Sequence, residues 1–132
     1  MISSPDREFL REISRSTNER NRVEHEAARQ AQAERLAAAR AEAERLAREF
    51  RVADQEIDRI VLFGSVATGE VGSREFDIDL AVRSARYLRL VAIGLDSDFR
   101  VDVVDLDGAR EPIRRAIERD GKVLYAKDQG AL

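Results

Sequence analysis

Hydrophobic and polar positions follow two different periods along this chain, and the change falls near residue 51. Upstream, Leu36, Ala39, Ala43, Leu46 and Phe50 recur at 3-4-3-4 spacing, which is the apolar stripe of a helix with one face to bury. Nearer the N-terminus that register fails, because His25, Arg29 and Gln32 fall on the same line. Charge patterning still predicts helix there. Glu8–Arg11, Glu12–Arg15, Glu19–Arg22, Glu26–Arg29 and Glu42–Arg45 stand three apart and Glu44–Arg48 four apart, spacings that bring opposite charges together only on a helix. Ser4-Pro5-Asp6 reads as the helix start, and no glycine or proline occurs between Asp6 and Phe63. Helix is therefore expected over most of residues 5–50. AERLA at 33–37 returns at 43–47, a ten-residue echo that matches no solenoid period.

Before residue 27 the helix has little to bury beyond Phe9, Leu10, Ile13 and Val23. It is either solvated or held by a partner, which includes a second copy of the chain. We divide the chain into a charged helical extension, 1–32, and a domain, 33–132.

Downstream the period drops to two. Phe76, Ile78, Leu80 and Val82 alternate with Asp77, Asp79 and Ala81, a strand with one face on the core. IDRIVLF at 57–63 and RVDVVDL at 100–106 read as further strands, and KVLYA at 122–126 as one that closes the sheet. Between them, GSVATG at 64–69 opens a short helix, and 85–94 forms another that stops around Gly94. A third has Pro112 in its first turn, runs to Asp120 and is stopped by Gly121. The order α-β-α-β-α-β-α-β predicts an α/β (α+β) domain, a sheet with helices packed on it, preceded by the long N-terminal helix.

Composition narrows the function classes. The net charge is only −3 across 23 basic and 26 acidic side chains, so a protein that coats nucleic acid through general basicity is not indicated. The chain has no cysteine, which removes disulfides and thiolate chemistry. Residues 1–8, MISSPDRE, do not resemble a secretory leader, and no apolar run is long enough to span a bilayer, so a soluble cytoplasmic protein without membrane contact is expected.

The chemistry concentrates in a few residues. Asp77 and Asp79, two apart on one strand, point the same way with roots about 7 Å apart. Two carboxylates so placed repel unless a cation lies between them. Carboxylate oxygens suit Mg²⁺, whose shell is completed by waters and substrate phosphates. Gly64-Ser65 follows an apolar strand directly. The glycine permits close backbone approach, and the serine adds a hydroxyl to the free N–H groups of the helix start, a combination that suits phosphate. Asp102, in a valine-rich strand, joins the same face if its strand lies beside 76–82 in register, and could then share a metal or take a proton. Asp105 and Asp107 fall on the opposite face and read as turn or capping residues. His25 reads as exposed, Glu70 and Glu75 as loop charges, and Tyr87 and Tyr125 as packing residues.

Gly64-Ser65, eleven intervening residues, Asp77-Ile78-Asp79-Leu80 and then Asp102 together resemble the polymerase-beta-like nucleotidyltransferase superfamily. In size and in the LFGS…DIDLAV wording the chain is similar to the minimal nucleotidyltransferases, the MNT group, over roughly residues 33–126. That resemblance implies the nucleotidyltransferase fold with a small mixed sheet. It implies Mg²⁺, and ATP or another NTP as donor of a nucleoside monophosphate to a hydroxyl. It also implies a HEPN-type toxin as protein partner, with this chain as antitoxin. Residue by residue, Gly64 and Ser65 match the nucleotide-binding pair, and Asp77, Asp79 and Asp102 match the catalytic, metal-binding acids.

Two departures bear on activity. The group often carries arginine right after the Gly-Ser pair and again two residues on, where this chain has Val66 and Thr68, and serine before the first acid, where it has Phe76. Arg74 and Arg83 are the cations that could compensate. The main expectation is therefore a Mg²⁺-dependent adenylyltransferase acting on a partner. The alternative is a non-catalytic module of the same fold that neutralises a partner by contact.

Overall fold

The computed structural model describes residues 4–70 and 76–128, with side chains from residue 6 onward. Helix α1 spans Ser4–Ala53 and is followed by β1 (Arg59–Phe63), α2 (Ser65–Thr68), β2 (Ile78–Arg83), α3 (Tyr87–Leu95), β3 (Val101–Asp105), α4 (Ile113–Asp120) and β4 (Lys122–Ala126). The predicted element order is thus the observed one. The chain divides into two compact units, one ending at Glu34 and one beginning at Arg35.

The first unit is helix throughout its described part. Phe9, Leu10, Ile13 and Val23 are exposed on it, as is His25.

The second unit is built on a four-stranded sheet ordered β3-β2-β1-β4. β1 runs antiparallel to β2 and β4, while β2 and β3 are parallel, so the sheet is mixed. A register shift between Ile60 and Val61 marks an irregularity where β4 joins. Period-two alternation sorts the side chains onto two faces. One face presents Ile60, Leu62, Ile78, Leu80 and Val82 to Leu46 and Phe50 of α1 and Leu90 of α3. All of these are buried, and each such side chain contributes about 1.5–3 kcal/mol relative to exposure. The stripe read from the sequence is the one that packs here: Ala39, Ala43, Leu46 and Phe50 are fully buried, and Leu36 lies against them.

The other face is smaller. Val61, Phe63 and Ala81 meet Ile117 of α4, with Val104 and Ala116 alongside. Helices therefore cover parts of both faces, whereas the alternation in 76–82 placed only one face on the core. Ala81, counted with the two aspartates, is fully buried.

Two glycines act through close approach. Gly94 stands one residue before the end of α3, close to where the sequence placed the stop, and a Cβ there would crowd Val103 and Val101 of β3 at 3.1 and 3.2 Å. Gly121 ends α4 in an extended conformation, φ −63° and ψ 132°, and not in the left-handed cap that usually makes glycine a stop. A side chain at Gly121 would overlap the Ile117 carbonyl oxygen. Pro112 occupies the N-cap of α4, one residue ahead of the helix.

Candidate active site

β1 ends at Phe63, and the chain turns at Gly64 into the single turn of α2. Gly64 has φ 75° and ψ −157°, a backbone conformation that an L side chain adopts only with strain. Its carbonyl accepts the N–H groups of Ala67 and Thr68, each at 3.1 Å, which fixes the turn. A second requirement for glycine comes from β2. Any Cβ at Gly64 would overlap Asp79 Oδ2. The turn and the carboxylate are therefore in direct apposition. Ser65 opens α2, and its hydroxyl makes no hydrogen bond to another described residue.

The condition that the sequence left open for Asp102 is met, because β3 lies beside β2. Asp79 pairs in register with Asp102 across the parallel β2–β3 ladder. Register partners on neighbouring strands stand about 4.8 Å apart and point to the same face. Asp77 precedes β2 and sits two residues from Asp79, while Phe63 is Asp79's partner on the other side. Along the sheet face, Phe63, Asp79 and Asp102 thus form one row at the end of the apolar patch of Phe63, Ala81 and Val104. Asp77 and Asp79 are half-buried and Asp102 is exposed.

Electrostatics register the crowding. The Asp79 carboxyl is raised from 3.8 to about 6, first by burial, then by the charge of Asp102, then by that of Asp77. Among the described residues no three His, Asp or Glu side chains are already drawn into a cage that could hold a metal ion. The donor chemistry nevertheless fits a hard divalent cation: the ligands are all oxygen, and the group carries unneutralised negative charge. Mg²⁺ is ordinarily held by one or two carboxylates with water and phosphate completing the shell, so a closed protein cage is not what it requires.

The remaining residues singled out in the sequence fall as follows. Val66 is fully buried in the larger core, so the side chain at this position points into the apolar layer. Thr68 is exposed, and its hydroxyl accepts the Glu70 N–H at 3.1 Å. Arg83 lies at the far end of β2 from the acids, paired with Asp107 at 2.9 Å, and so supplies no charge at the turn. Arg74 and Glu75 lie outside the described residues. Asp105 accepts the Asp107 N–H at 3.2 Å, the turn role expected of it. Tyr87 packs on the core and donates its hydroxyl to the Val103 carbonyl at 2.8 Å, while Tyr125 carries Arg51 stacked at 4.2 Å.

One contributor escaped the sequence reading. Arg40 of α1 donates from Nε to the Val66 carbonyl at 3.0 Å and from Nη2 to that of Ala67 at 3.3 Å. It satisfies carbonyls at the end of α2 and so braces the Gly64-Ser65 turn from behind. In sequence Arg40 stands among alanines and other charges of a long helix, with no local sign of a partner 26 residues away.

Known proteins can be set beside this geometry. The family model described as Polymerase beta, Nucleotidyltransferase matches residues 44–130. A chain of a crystal structure described as a toxin-antitoxin with AMP-PNP is similar at 28% identity and TM-score 0.52, over 65% of this chain and 75% of that one. A mutant of the toxin-antitoxin MntA-HpeT, with aspartates replaced by glutamates at two positions two apart, matches at 26% identity and TM-score 0.52 over the same shares. A rebuilt structure of a tri-AMPylated Shewanella oneidensis HEPN toxin in complex with MNT antitoxin matches at 24% identity and TM-score 0.51, covering 69% of this chain and 75% of that one, a likeness of fold alone. None of the curated proteins matches the chain.

Proposed function

From the premise that this chain belongs to the polymerase beta nucleotidyltransferase family, we propose that it transfers AMP from ATP to a hydroxyl of a protein partner, a HEPN-type toxin whose antitoxin it is. The observation that carries this reading is the apposition of Gly64 to Asp79, with Asp102 in register beside it. The similarity to a toxin-antitoxin structure with AMP-PNP supports the donor and the partner class.

Asp77 and Asp79 would hold Mg²⁺, with Asp102 as the third acid. Bound there, the cation would neutralise charge on the phosphates and on the developing transition state. Gly64 brings backbone close to the phosphates, and Ser65 offers them its hydroxyl. The acceptor oxygen attacks the α-phosphorus in line, a new P–O bond forms, and the bond to pyrophosphate breaks. The acceptor's proton passes to Asp102, the most exposed of the acids, or through it to water. Catalysis in this scheme is positioning plus charge neutralisation, so the acids matter through their charge as well as their shape.

Residues 33–132 suffice for this chemistry in our reading, and 1–32 are an extension to it. The test is to incubate the full chain with α-labelled ATP, Mg²⁺ and a HEPN-type toxin. Label is expected on the toxin, and Asp77→Asn or Asp79→Asn should reduce it by at least about 10²-fold. Equal labelling by those variants would overturn the mechanism.

A further inference from the structure

The layer opposite the acids carries a surface of different character. A cleft of about 600 Å³ lies between the C-terminal turns of α1 and the start of α3. From α1 it is lined by Arg45, Arg48, Glu49 and Val52, and from the other side by Arg86, the N-cap of α3, and by Arg89 and Ile93 within that helix. On each helix these positions recur at three- and four-residue spacing, so two helical stripes face one trough.

The charges in the trough are not balanced. Arg45 is held by Glu42 at 2.5 Å and Glu49 at 3.2 Å. Arg48, Arg86 and Arg89 form no ion pair with any described residue. Three cations thus stand together on a chain whose net charge is −3. Val52 between them is 78% exposed. A second cleft of about 440 Å³ shares Arg48 and Val52 and extends the surface to Arg51 and Tyr125.

We propose that this trough docks an acidic amphipathic helix of a protein partner. The charge asks for an anion, and the apolar residues say which kind. Val52 and Ile93 give a floor for aliphatic side chains, and Glu49 within the trough disfavours a uniformly anionic chain such as RNA or polyphosphate. Two helices flanking a trough fit a third helix laid between them, read by apolar residues at i, i+3 or i+4, and i+7. Arginine is also among the residue types enriched where protein contacts are strongest. The span from Arg45 to Val52 is about 10 Å by helix rise, enough for two turns of a partner. The chain's own N-terminal helix is a poor occupant from a second copy, because residues 1–34 hold six arginines against seven acids and offer little complementary charge. The trough sits on the α1–α3 layer, while Asp79 and Asp102 face the α4 layer, so a helix docked here leaves the acids open.

The probe is a synthetic peptide of about 18 residues, with leucine at i, i+4 and i+7 and glutamate flanking them. Fluorescence anisotropy with the full chain should show binding that weakens with salt. The exposed double substitution Arg48→Glu with Arg89→Glu should cost about tenfold or more in affinity. That variant should in turn bind the matching peptide with lysine in place of glutamate better than the unaltered chain does, with unchanged circular dichroism. Equal binding of the glutamate peptide by both proteins would overturn the proposal. So would no peptide binding, stronger binding of a single-stranded RNA oligonucleotide that the charge reversal removes, or self-association in sedimentation that the reversal abolishes.

Discussion

The two faces of the sheet use the same strands for opposite ends. On the α1–α3 face, Ile60, Leu62, Ile78, Leu80 and Val82 are closed under helices and leave no charge behind. On the α4 face the covering stops at Ala81 and Val104, and the next row along the strands is Asp79 and Asp102. A residue's direction on the strand decides which it serves, and a one-residue slip of β2 would bury the aspartates and expose the core. The stable face holds the strands rigid enough that the other can keep three carboxylates in mutual repulsion.

That contrast can be broken from either side. Phe50→Ala removes a fully buried ring from the stable face and should cost about 3–5 kcal/mol, measured by urea unfolding. Gly64→Ala, at the turn against the acids, should be the next largest. The substitution forces an L side chain into φ 75° and into Asp79, which should cost about 1–3 kcal/mol and displace the carboxylate, so nucleotide transfer should fall with stability. A Gly64→Ala protein with full activity would dissolve the link between turn and acid.

The smallest effect has the opposite sign. With the Asp79 carboxyl raised to about 6, the folded, metal-free chain holds this proton more tightly than the unfolded chain does. The resulting stabilisation is complete below pH 3.8 and is lost as pH rises through about 6. Asp79→Asn removes the dependence. At pH 7.5 it should therefore melt higher than the unaltered protein, by on the order of 2–4 °C after allowance for solvent screening. A lower melting temperature for this variant would mean that Asp79 supports the fold rather than straining it.

Much of this arrangement was legible in the residues. Alternation in 76–82 separated the core face from the acids, and the Leu36–Phe50 stripe located the part of α1 that packs, because both signals are local periods. Asp102 was legible only conditionally. Its place beside Asp79 depends on strand order and register, which are set by how β1, β2 and β3 assemble and not by any one segment. Arg40 was hidden for the same reason. Gly121 does stop the helix after Asp120 as the sequence indicated, but the reason glycine is needed, a close approach to the Ile117 carbonyl oxygen, is a packing constraint that composition does not express. Val66, one of the positions where the family resemblance led to an expectation of arginine, proves to be a core residue.

The proposed transfer depends most on Asp77, Asp79 and Asp102 acting as one cation site for a nucleotide. Paramagnetic resonance of Mn²⁺ titrated into the full chain with a non-hydrolysable ATP analogue measures this directly. Removing even an outer-sphere partner of a metal ligand weakens binding about 10–100-fold, so Asp79→Asn should weaken Mn²⁺–nucleotide binding by at least about tenfold. Mn²⁺ and nucleotide bound equally well by Asp79→Asn and by the unaltered chain would contradict it.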